Sequence, residues 1–130
     1  MATLKPRIAI VDDDKSVRKA LSRLLAGASF EVRAFGSGRE LLEGLSSFRP
    51  DCLVLDLQMP EMTGLDLQRH LLRVRPAIPV IVITGHDSPS ARSESVALGV
   101  SDYLAKPIDV DVLISSIRKS LEGGSPPVSV

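Results

Sequence analysis

The sequence predicts an α/β fold, a single domain in which a doubly wound, five-stranded parallel sheet is covered by helices on both faces. The first observation is that short apolar runs alternate five times with segments whose apolar residues recur at helical spacing, and no two strands follow in succession. The second is that three of the runs are apolar inside without alternating polar residues, which is typical of central strands buried on both faces. The spacings suggest the strand order 2-1-3-4-5 without fixing it.

Each element follows from its own pattern of apolar residues. The second run alternates apolar and polar residues, so we expect that strand to be partly open on one face. The predicted strands are "RIAIV" (7–11), "FEVRAF" (30–35), "DCLVLD" (51–56), "VIVIT" (80–84) and "SDYLAKP" (101–107). The predicted helices are "SVRKALSRLL" (16–25), "GRELLEGL" (38–45), "GLDLQRHLLRV" (64–74), the weaker Pro89–Leu98 and "VDVLISSIRKSL" (110–121).

Capping and breaking residues mark the ends of the predicted helices. Asp14 is better explained as the N-cap of the first helix than as a metal ligand, because Asp is a common residue at that position. Gly27 is predicted to end the same helix. Pro76 and Pro79 close off the third helix, and Gly99 follows the fourth.

Composition restricts the class of protein. Of the 130 residues, 44% are hydrophobic and 25% are charged, which fits one globular domain and not a disordered chain. No apolar run approaches the roughly 20 residues that span a bilayer, and "MATLKPR" lacks the apolar middle of a signal peptide. A single cysteine, Cys52, fits a reducing cytoplasm. Sixteen basic and sixteen acidic residues balance, so no general attraction to nucleic acid or membrane is expected.

The C-terminal segment "GGSPPVSV" has the composition of a linker and shows no periodicity. We therefore expect residues 1–122 to form the domain and residues 123–130 to be a linker or tail. No further helical segment and no basic surplus follow, so we expect any effector or DNA-binding domain to be absent from this chain.

Polar side chains stand where the predicted strands end. In chain order they are Asp12 and Asp13, Asp56, Thr84, and Lys106. The carboxyl ends of parallel strands meet at one edge of the sheet, and open sheets bind their ligands there. Taken singly, each has an ordinary explanation, because Asp is common in turns and Thr hydroxyls often bond to nearby backbone. The joint pattern at successive strand ends is much harder to obtain by chance.

Three converging carboxylates repel one another unless a cation lies among them. Mg²⁺ prefers oxygen ligands and keeps several waters, so it needs few protein carboxylates. Thiolate and paired-histidine ligands are absent from the pattern, which argues against zinc. The sequence therefore predicts a site for Mg²⁺, with Mn²⁺ as the alternative, at Asp12, Asp13 and Asp56.

The same set of residues suits phosphoryl transfer. The Asp56 carboxylate can attack phosphorus and become an aspartyl phosphate. The anionic transition state mainly needs positioned positive charge and hydrogen-bond donors. Lys106 and the metal supply the charge, the Thr84 hydroxyl can donate to a phosphoryl oxygen, and Gly85 has no side chain to block the incoming group.

The segments "IVDDD", "LVLDLQMPEMTGLDL", "VIVITGHDS" and "DYLAKP" strongly resemble the response-regulator receiver domain of two-component signalling, from about Arg7 to Leu121. "DLQMPEMTG" and "ITGH" look most like receivers of the nitrogen-fixation-regulator (FixJ) type. The resemblance implies a flavodoxin-like sheet and a cytoplasmic switch that a sensor histidine kinase phosphorylates. It implies no enzyme in the usual sense, since such a domain catalyses only its own phosphorylation and slow autodephosphorylation.

The resemblance also implies how the signal leaves the domain. Phosphorylation is expected to alter the face formed by the fourth helix, the fifth strand and the fifth helix, and to control a downstream, transcriptional output. A phosphorylation-dependent homodimer through this face is the expected readout. Direct binding of nucleic acid or membrane by this domain is not expected.

Individual roles carry over by position. Asp56 matches the phosphoacceptor, and Asp12 and Asp13 match the acidic pair that holds magnesium. Gln58 matches the residue whose backbone carbonyl completes the metal site, so its side chain is less informative.

The remaining positions concern the response to the phosphoryl group. Thr84 matches the switch hydroxyl, and Lys106 matches the lysine that contacts the phosphoryl group. Tyr103 matches the aromatic residue that changes rotamer, turning inward on activation. Pro107 matches a proline that follows a cis peptide bond.

The two histidines and the serine-rich fourth helix say less about function than the residues at the strand ends. His86, two residues past Thr84, is interpreted as an exposed loop residue, with control of water access to the phosphoryl group as the alternative. His70 lies on a polar face of the third helix and is not expected to be a phosphodonor. The segment "DSPSARSESVA" is unusually polar, so we expect the fourth helix to be locally unstable and able to move on activation.

Three competing interpretations fit less well. A phosphatase of the haloacid-dehalogenase type has a second Asp two residues after its nucleophile, where this chain has Gln58. A flavin-binding module needs a glycine- and hydroxyl-rich loop after the first strand, where this chain has "DDDK". A degenerate receiver that serves only as a scaffold would lack key residues, and all of them are present.

Overall fold

The computed structural model describes residues 4–59, 62–74 and 77–122, and in them strands and helices alternate as the sequence predicts. The strands are β1 (Arg7–Val11), β2 (Glu31–Phe35), β3 (Cys52–Asp56), β4 (Val80–Thr84) and β5 (Asp102–Ala105). The helices are α1 (Lys15–Gly27), α2 (Gly38–Gly44), α3 (Gly64–Val74), α4 (Pro89–Ala97) and α5 (Val110–Leu121).

All strand pairs are parallel, and the sheet has the order β2-β1-β3-β4-β5, which confirms the doubly wound, flavodoxin-like sheet of a single domain. In the observed register Val11 lies opposite Leu55, and Thr84 lies opposite Ala105. The residues that follow Val11, Leu55 and Ala105 therefore meet at the carboxyl edge of the sheet. These residues are the predicted site residues Asp12, Asp56 and Lys106.

Two apolar cores, one on each face, hold the sheet between its helices. Successive strand residues point to opposite faces, so a strand buried on both sides must be apolar throughout. β3 and β4 are buried over their whole length, whereas β2 at the sheet edge is partly open, as predicted. The core beneath α1 and α5 contains Ile8, Ile10, Leu21, Leu25, Phe30, Cys52, Val54, Ile81, Ile83, Leu113 and Ile117. The core on the other face includes Val11, Leu41, Leu53, Leu55, Leu67, Leu71, Val82 and Tyr103.

The helix ends agree with the residues predicted to cap or end them. The Asp14 side chain accepts hydrogen bonds from two first-turn amides of α1, at 2.8 and 3.3 Å, so Asp14 is the N-cap. α1 ends at Gly27, as predicted, with Gly27 itself the last helical residue. The left-handed backbone that follows lies at Ser29, with φ of 73°. Gly99, with φ of 85°, follows α4 as predicted.

Element boundaries differ from the prediction by a few residues. β5 is shorter than the predicted 101–107, although the amides of Ser101 and Lys106 still donate to β4, each at 2.7 Å. Pairing ends after Lys106 because Pro107 has no amide hydrogen to donate. Pro79 precedes β4 as predicted, whereas Pro76 and the predicted linker lie outside the described residues. Each helix in the described ranges is too short or too polar to cross a membrane.

Candidate functional site

Three carboxylates converge where β1 and β3 end. Oxygen atoms of Asp12, Asp13 and Asp56 lie within 4.8 Å of one another. Asp12 and Asp56 are 0% and 2% exposed, whereas Asp13 is exposed. The register of the central strands thus brings together the acidic residues that the sequence analysis assigned to one site.

Lys106 is the cation of this cluster. Its Nζ lies 2.9 Å from Asp12 Oδ2 and 3.6 Å from Asp56 Oδ2. Its side chain is 24% exposed, so the ammonium is shielded from bulk water but remains within reach of it. Burial alone would lower the pKa of Lys106, but its contacts with Asp12 and Asp56 outweigh that effect, so the pKa is raised. Lys106 therefore stays protonated at neutral pH.

The pKa of Asp56 is raised from 3.8 to about 6, and burial is the largest cause. The neighbouring Asp12 and Asp13 charges also contribute to this increase, while the hydrogen bond from the Gln58 amide and the Lys106 charge partly oppose it. Asp56 is therefore largely ionised at neutral pH, as a nucleophile must be, although its carboxylate is held in an environment that disfavours the charge.

The same backbone turn recurs at three strand ends. The amide of Asp14 donates to Asp12 Oδ1 at 2.9 Å, and the amide of Gln58 donates to Asp56 Oδ1 at 3.1 Å. The amide of His86 likewise donates to Thr84 Oγ1 at 3.1 Å. Each turn fixes one oxygen of a strand-end side chain. In both aspartates it leaves Oδ2 facing Lys106.

The structure also places the remaining predicted residues. Thr84 is fully buried, whereas Gln58 and His86 are exposed. The Lys106–Pro107 peptide bond is cis, as the resemblance implied. Tyr103 is 3% exposed. The ring is thus inward in this structure, and the change of rotamer on activation stays a prediction.

Two residues at the site were missed by the sequence analysis. The Arg18 guanidinium donates from Nη1 to the backbone carbonyl of Asp12 at 2.8 Å, so α1 braces the turn between Asp12 and Asp13. A Cβ added to Gly64 would lie 2.6 Å from the Asp56 carbonyl oxygen, so only glycine allows α3 to start against the acceptor strand. The available signals were a basic residue one turn into α1 and a glycine at the predicted start of α3.

The arrangement fits a hard divalent cation beside a nucleophilic carboxylate. The donors are oxygens, two of the three carboxylates are buried, and one ammonium faces them. One positive charge opposite three negative ones leaves a net negative site, which a divalent cation would balance. Asp56 is thus a carboxylate nucleophile placed between a cation site and Lys106.

Comparison with known proteins gives a consistent result. The family model for the response regulator receiver domain matches residues 8–118. The DNA-binding transcriptional regulator NtrC of Escherichia coli (strain K12) is 39% identical over 112 residues, which are 86% of this chain and 24% of NtrC. Response regulator MprA of Mycolicibacterium vanbaalenii is 38% identical over 120 residues, 92% of this chain and 52% of MprA. The chain thus spans from about a quarter to about half of the length of these relatives.

Solved structures agree with this result. The crystal structure of FixJ-N has a TM-score of 0.84 and 34% identity, covering 98% of this chain and 100% of FixJ-N. A CheY-like receiver domain protein from Methanospirillum hungatei has a TM-score of 0.87 and 26% identity, covering 92% of this chain and 95% of that one. The sheet and its five helices are therefore shared along almost the whole chain.

Proposed function

Because this chain belongs to the response regulator receiver domain family, we propose that it accepts a phosphoryl group on Asp56 from a sensor histidine kinase. Receiver domains are switches of two-component signalling and not enzymes in the usual sense. The observation that carries the proposal is the placement of Asp56, a buried carboxylate 3.6 Å from the Lys106 ammonium and grouped with Asp12 and Asp13.

In the proposed reaction an Asp56 carboxylate oxygen forms a bond to phosphorus while the bond from phosphorus to the kinase histidine nitrogen breaks. Oδ1 is held by the Gln58 amide, and Oδ2 faces Lys106, so charge that develops on a phosphoryl group at Oδ2 lies beside an ammonium. The Thr84 oxygen accepts from the His86 amide, which leaves the hydroxyl hydrogen to donate to a phosphoryl oxygen.

Mg²⁺, or Mn²⁺ in its place, would be held by Asp12, Asp13, Asp56 and the backbone carbonyl of Gln58. When bound, the ion neutralises charge on the transferring phosphoryl oxygens. The chain's own part is to keep two of the carboxylates buried beside the Lys106 ammonium, with Arg18 holding the turn that carries Asp13.

The proposed output is a change of the α4–β5–α5 face that controls transcription in the cytoplasm. NtrC is a DNA-binding transcriptional regulator, and this chain matches only part of it. We propose that residues 1–122 are the receiver, that 123–130 form a linker or tail, and that DNA binding belongs to a separate effector domain. Phosphorylation-dependent homodimerisation is the proposed readout, which sedimentation with and without a phosphoryl mimic tests directly.

The acceptor assignment predicts a single phosphorylation. Incubated with Mg²⁺ and a small acyl phosphate, the wild-type chain should gain the mass of one phosphoryl group, and Asp56→Asn should gain none. Asp51→Asn is the matched control, because Asp51 lies at the opposite end of β3 and should leave the gain intact. Intact-mass spectrometry reads the result. A phosphoryl gain that survives Asp56→Asn would refute the assignment.

The metal assignment predicts stabilisation by Mg²⁺. A ligand that binds only the folded state at about ten times its Kd adds about 1.4 kcal/mol, which for a chain of this size raises Tm by about 3–6 °C. Asp13→Asn should abolish this response, while Glu43→Gln, an exposed change on α2, should keep it. Thermal unfolding across a Mg²⁺ series measures both. A wild-type Tm that is indifferent to Mg²⁺ would count against the site.

A further inference from the structure

The inward position of Tyr103 depends on a contact with α4. The ring is buried beside Val82 in the core beneath α3 and α4. The Arg92 guanidinium carbon lies 4.6 Å from the ring centroid, within the range of a cation–π interaction. Arg92 itself is exposed, so its side chain covers the outer face of the ring from the solvent side.

Helix α4 has little apolar packing of its own. Ser95 is its one buried residue, and neither the Ser95 hydroxyl nor Oε1 of Gln68 on α3 has a hydrogen-bond partner in the described part of the chain. A cavity of about 30 Å³ lies next to Gln68, where packing is incomplete. Ala91 packs partly buried against the core, and charged side chains add contacts of α4 through Arg92 on Tyr103 and the ion pair of Arg69 with Glu94 at 3.6 Å.

The hydroxyl of Tyr103 also faces the segment that leads into α4. It is buried and has no partner at hydrogen-bonding geometry among the described residues. Burial raises the pKa of Tyr103, and the nearby Asp87 carboxylate raises it further. Asp87 and Arg92 therefore act on opposite parts of one side chain, and both belong to the segment 87–92.

We propose that Arg92 is a positioning residue that holds Tyr103 inward and thereby couples α4 to the switch at Thr84. This inference rests on the proposed function, since it gives Arg92 a role in the response to phosphorylation. Thr84 lies two residues after Val82, the β4 partner of Tyr103, so the two side chains lie on the same face of neighbouring strands.

The coupling follows from linkage. The premise is that the conformation with Tyr103 inward is also the one in which Thr84 favours a phosphoryl group. A contact that stabilises the inward Tyr103 must then strengthen binding of the phosphoryl group by the same factor. A cation–π contact at an exposed site corresponds to a change of about two- to fivefold in such an equilibrium. Arg92 should therefore raise the apparent affinity for a phosphoryl mimic by about that factor.

The chain offers a direct probe, because it contains one tyrosine and no tryptophan. Tyrosine fluorescence and its quenching by acrylamide thus report on Tyr103 alone. Arg92→Met keeps the length of the side chain and removes the charge, while Arg92→Lys keeps the charge. The matched control is Arg69→Met, which removes the ion pair of α4 with α3 but does not touch Tyr103.

We expect acrylamide to quench Tyr103 more strongly in Arg92→Met than in the wild type, with partial recovery in Arg92→Lys and no change in Arg69→Met. The affinity for Mg²⁺ with beryllofluoride should fall by about two- to fivefold in Arg92→Met. Equal quenching in the wild type and Arg92→Met overturns the proposal, and so does an equal increase in Arg69→Met, which would mean general loosening of α4. An exposed Tyr103 with unchanged mimic affinity overturns the coupling to Thr84.

The same set of proteins separates this proposal from the proposed function. Acrylamide quenching is measured without any phosphoryl donor, so it decides whether Arg92 holds Tyr103 even if Asp56 takes up no phosphoryl group. The mass experiment with Asp56→Asn decides the proposed function by itself.

Discussion

Lys106→Met is expected to lower the free energy of unfolding at neutral pH, without divalent cations, by about 3 kcal/mol. The Lys106 ammonium lies 2.9 Å from Asp12 and 3.6 Å from Asp56, and both carboxylates are buried. Removing the cation leaves these charges buried without their partner, which costs far more than losing an exposed ion pair. Chemical denaturation monitored by circular dichroism measures the loss.

The loss of stability in Lys106→Met should be smaller in acid, and the direction of this change follows from the pKa of Asp56. Its pKa is raised from 3.8 to about 6 in the folded chain, so the folded state binds more protons than the unfolded state between these values. The stability that protonation of Asp56 contributes is fully present below pH 3.8 and is lost as the pH rises through about 6. Without Lys106 the pKa of Asp56 rises further, so protonation at about pH 5 relieves much of the repulsion in the variant.

Lys19→Met on the exposed surface of α1 is the matched control and should change the stability by less than about 0.5 kcal/mol. Mg²⁺ should restore part of the stability of Lys106→Met, because the ion supplies positive charge at the same carboxylates. A variant as stable as the wild type at neutral pH would mean that the buried carboxylates do not depend on Lys106.

Gly64→Ala is expected to destabilise the chain by about 3 kcal/mol and to slow phosphorylation by about ten- to a hundredfold. The added Cβ would lie 2.6 Å from the Asp56 carbonyl oxygen and 2.7 Å from the Leu57 Cα. Both neighbours are backbone atoms and cannot rotate away, so either α3 or the end of β3 must move. A shift of β3 displaces the acceptor carboxylate from Lys106.

Gly27→Ala is the matched control, because a Cβ at Gly27 meets nothing within 4 Å and the residue is helical. Alanine there should raise the stability by about 0.5–1 kcal/mol through its greater helix propensity, with phosphorylation unchanged. Denaturation and the rate of mass gain with an acyl phosphate measure both variants. Equal behaviour of Gly64→Ala and Gly27→Ala would show that the close approach at Gly64 is unimportant.

The sheet and the main site could be predicted from the sequence because both depend on local patterns. The uninterrupted apolar runs of β3 and β4 are explained by burial on both faces, and the alternating β2 by its place at the edge. Since parallel strands share a carboxyl edge, residues at strand ends meet whatever their separation along the chain. The sequence therefore places Asp12, Asp56 and Lys106 correctly at one edge of the sheet.

Tertiary structure alone decided how those side chains are used. Lys106 lies closer to Asp12 than to Asp56, Arg18 turns back to the Asp12 carbonyl, and Tyr103 is already inward beneath Arg92. Each of these outcomes depends on distances of a few ångströms between residues as many as 94 positions apart, which no local propensity encodes. Periodicity in the sequence determines which face or edge a side chain reaches, whereas the packing of all elements together determines which neighbour it meets there.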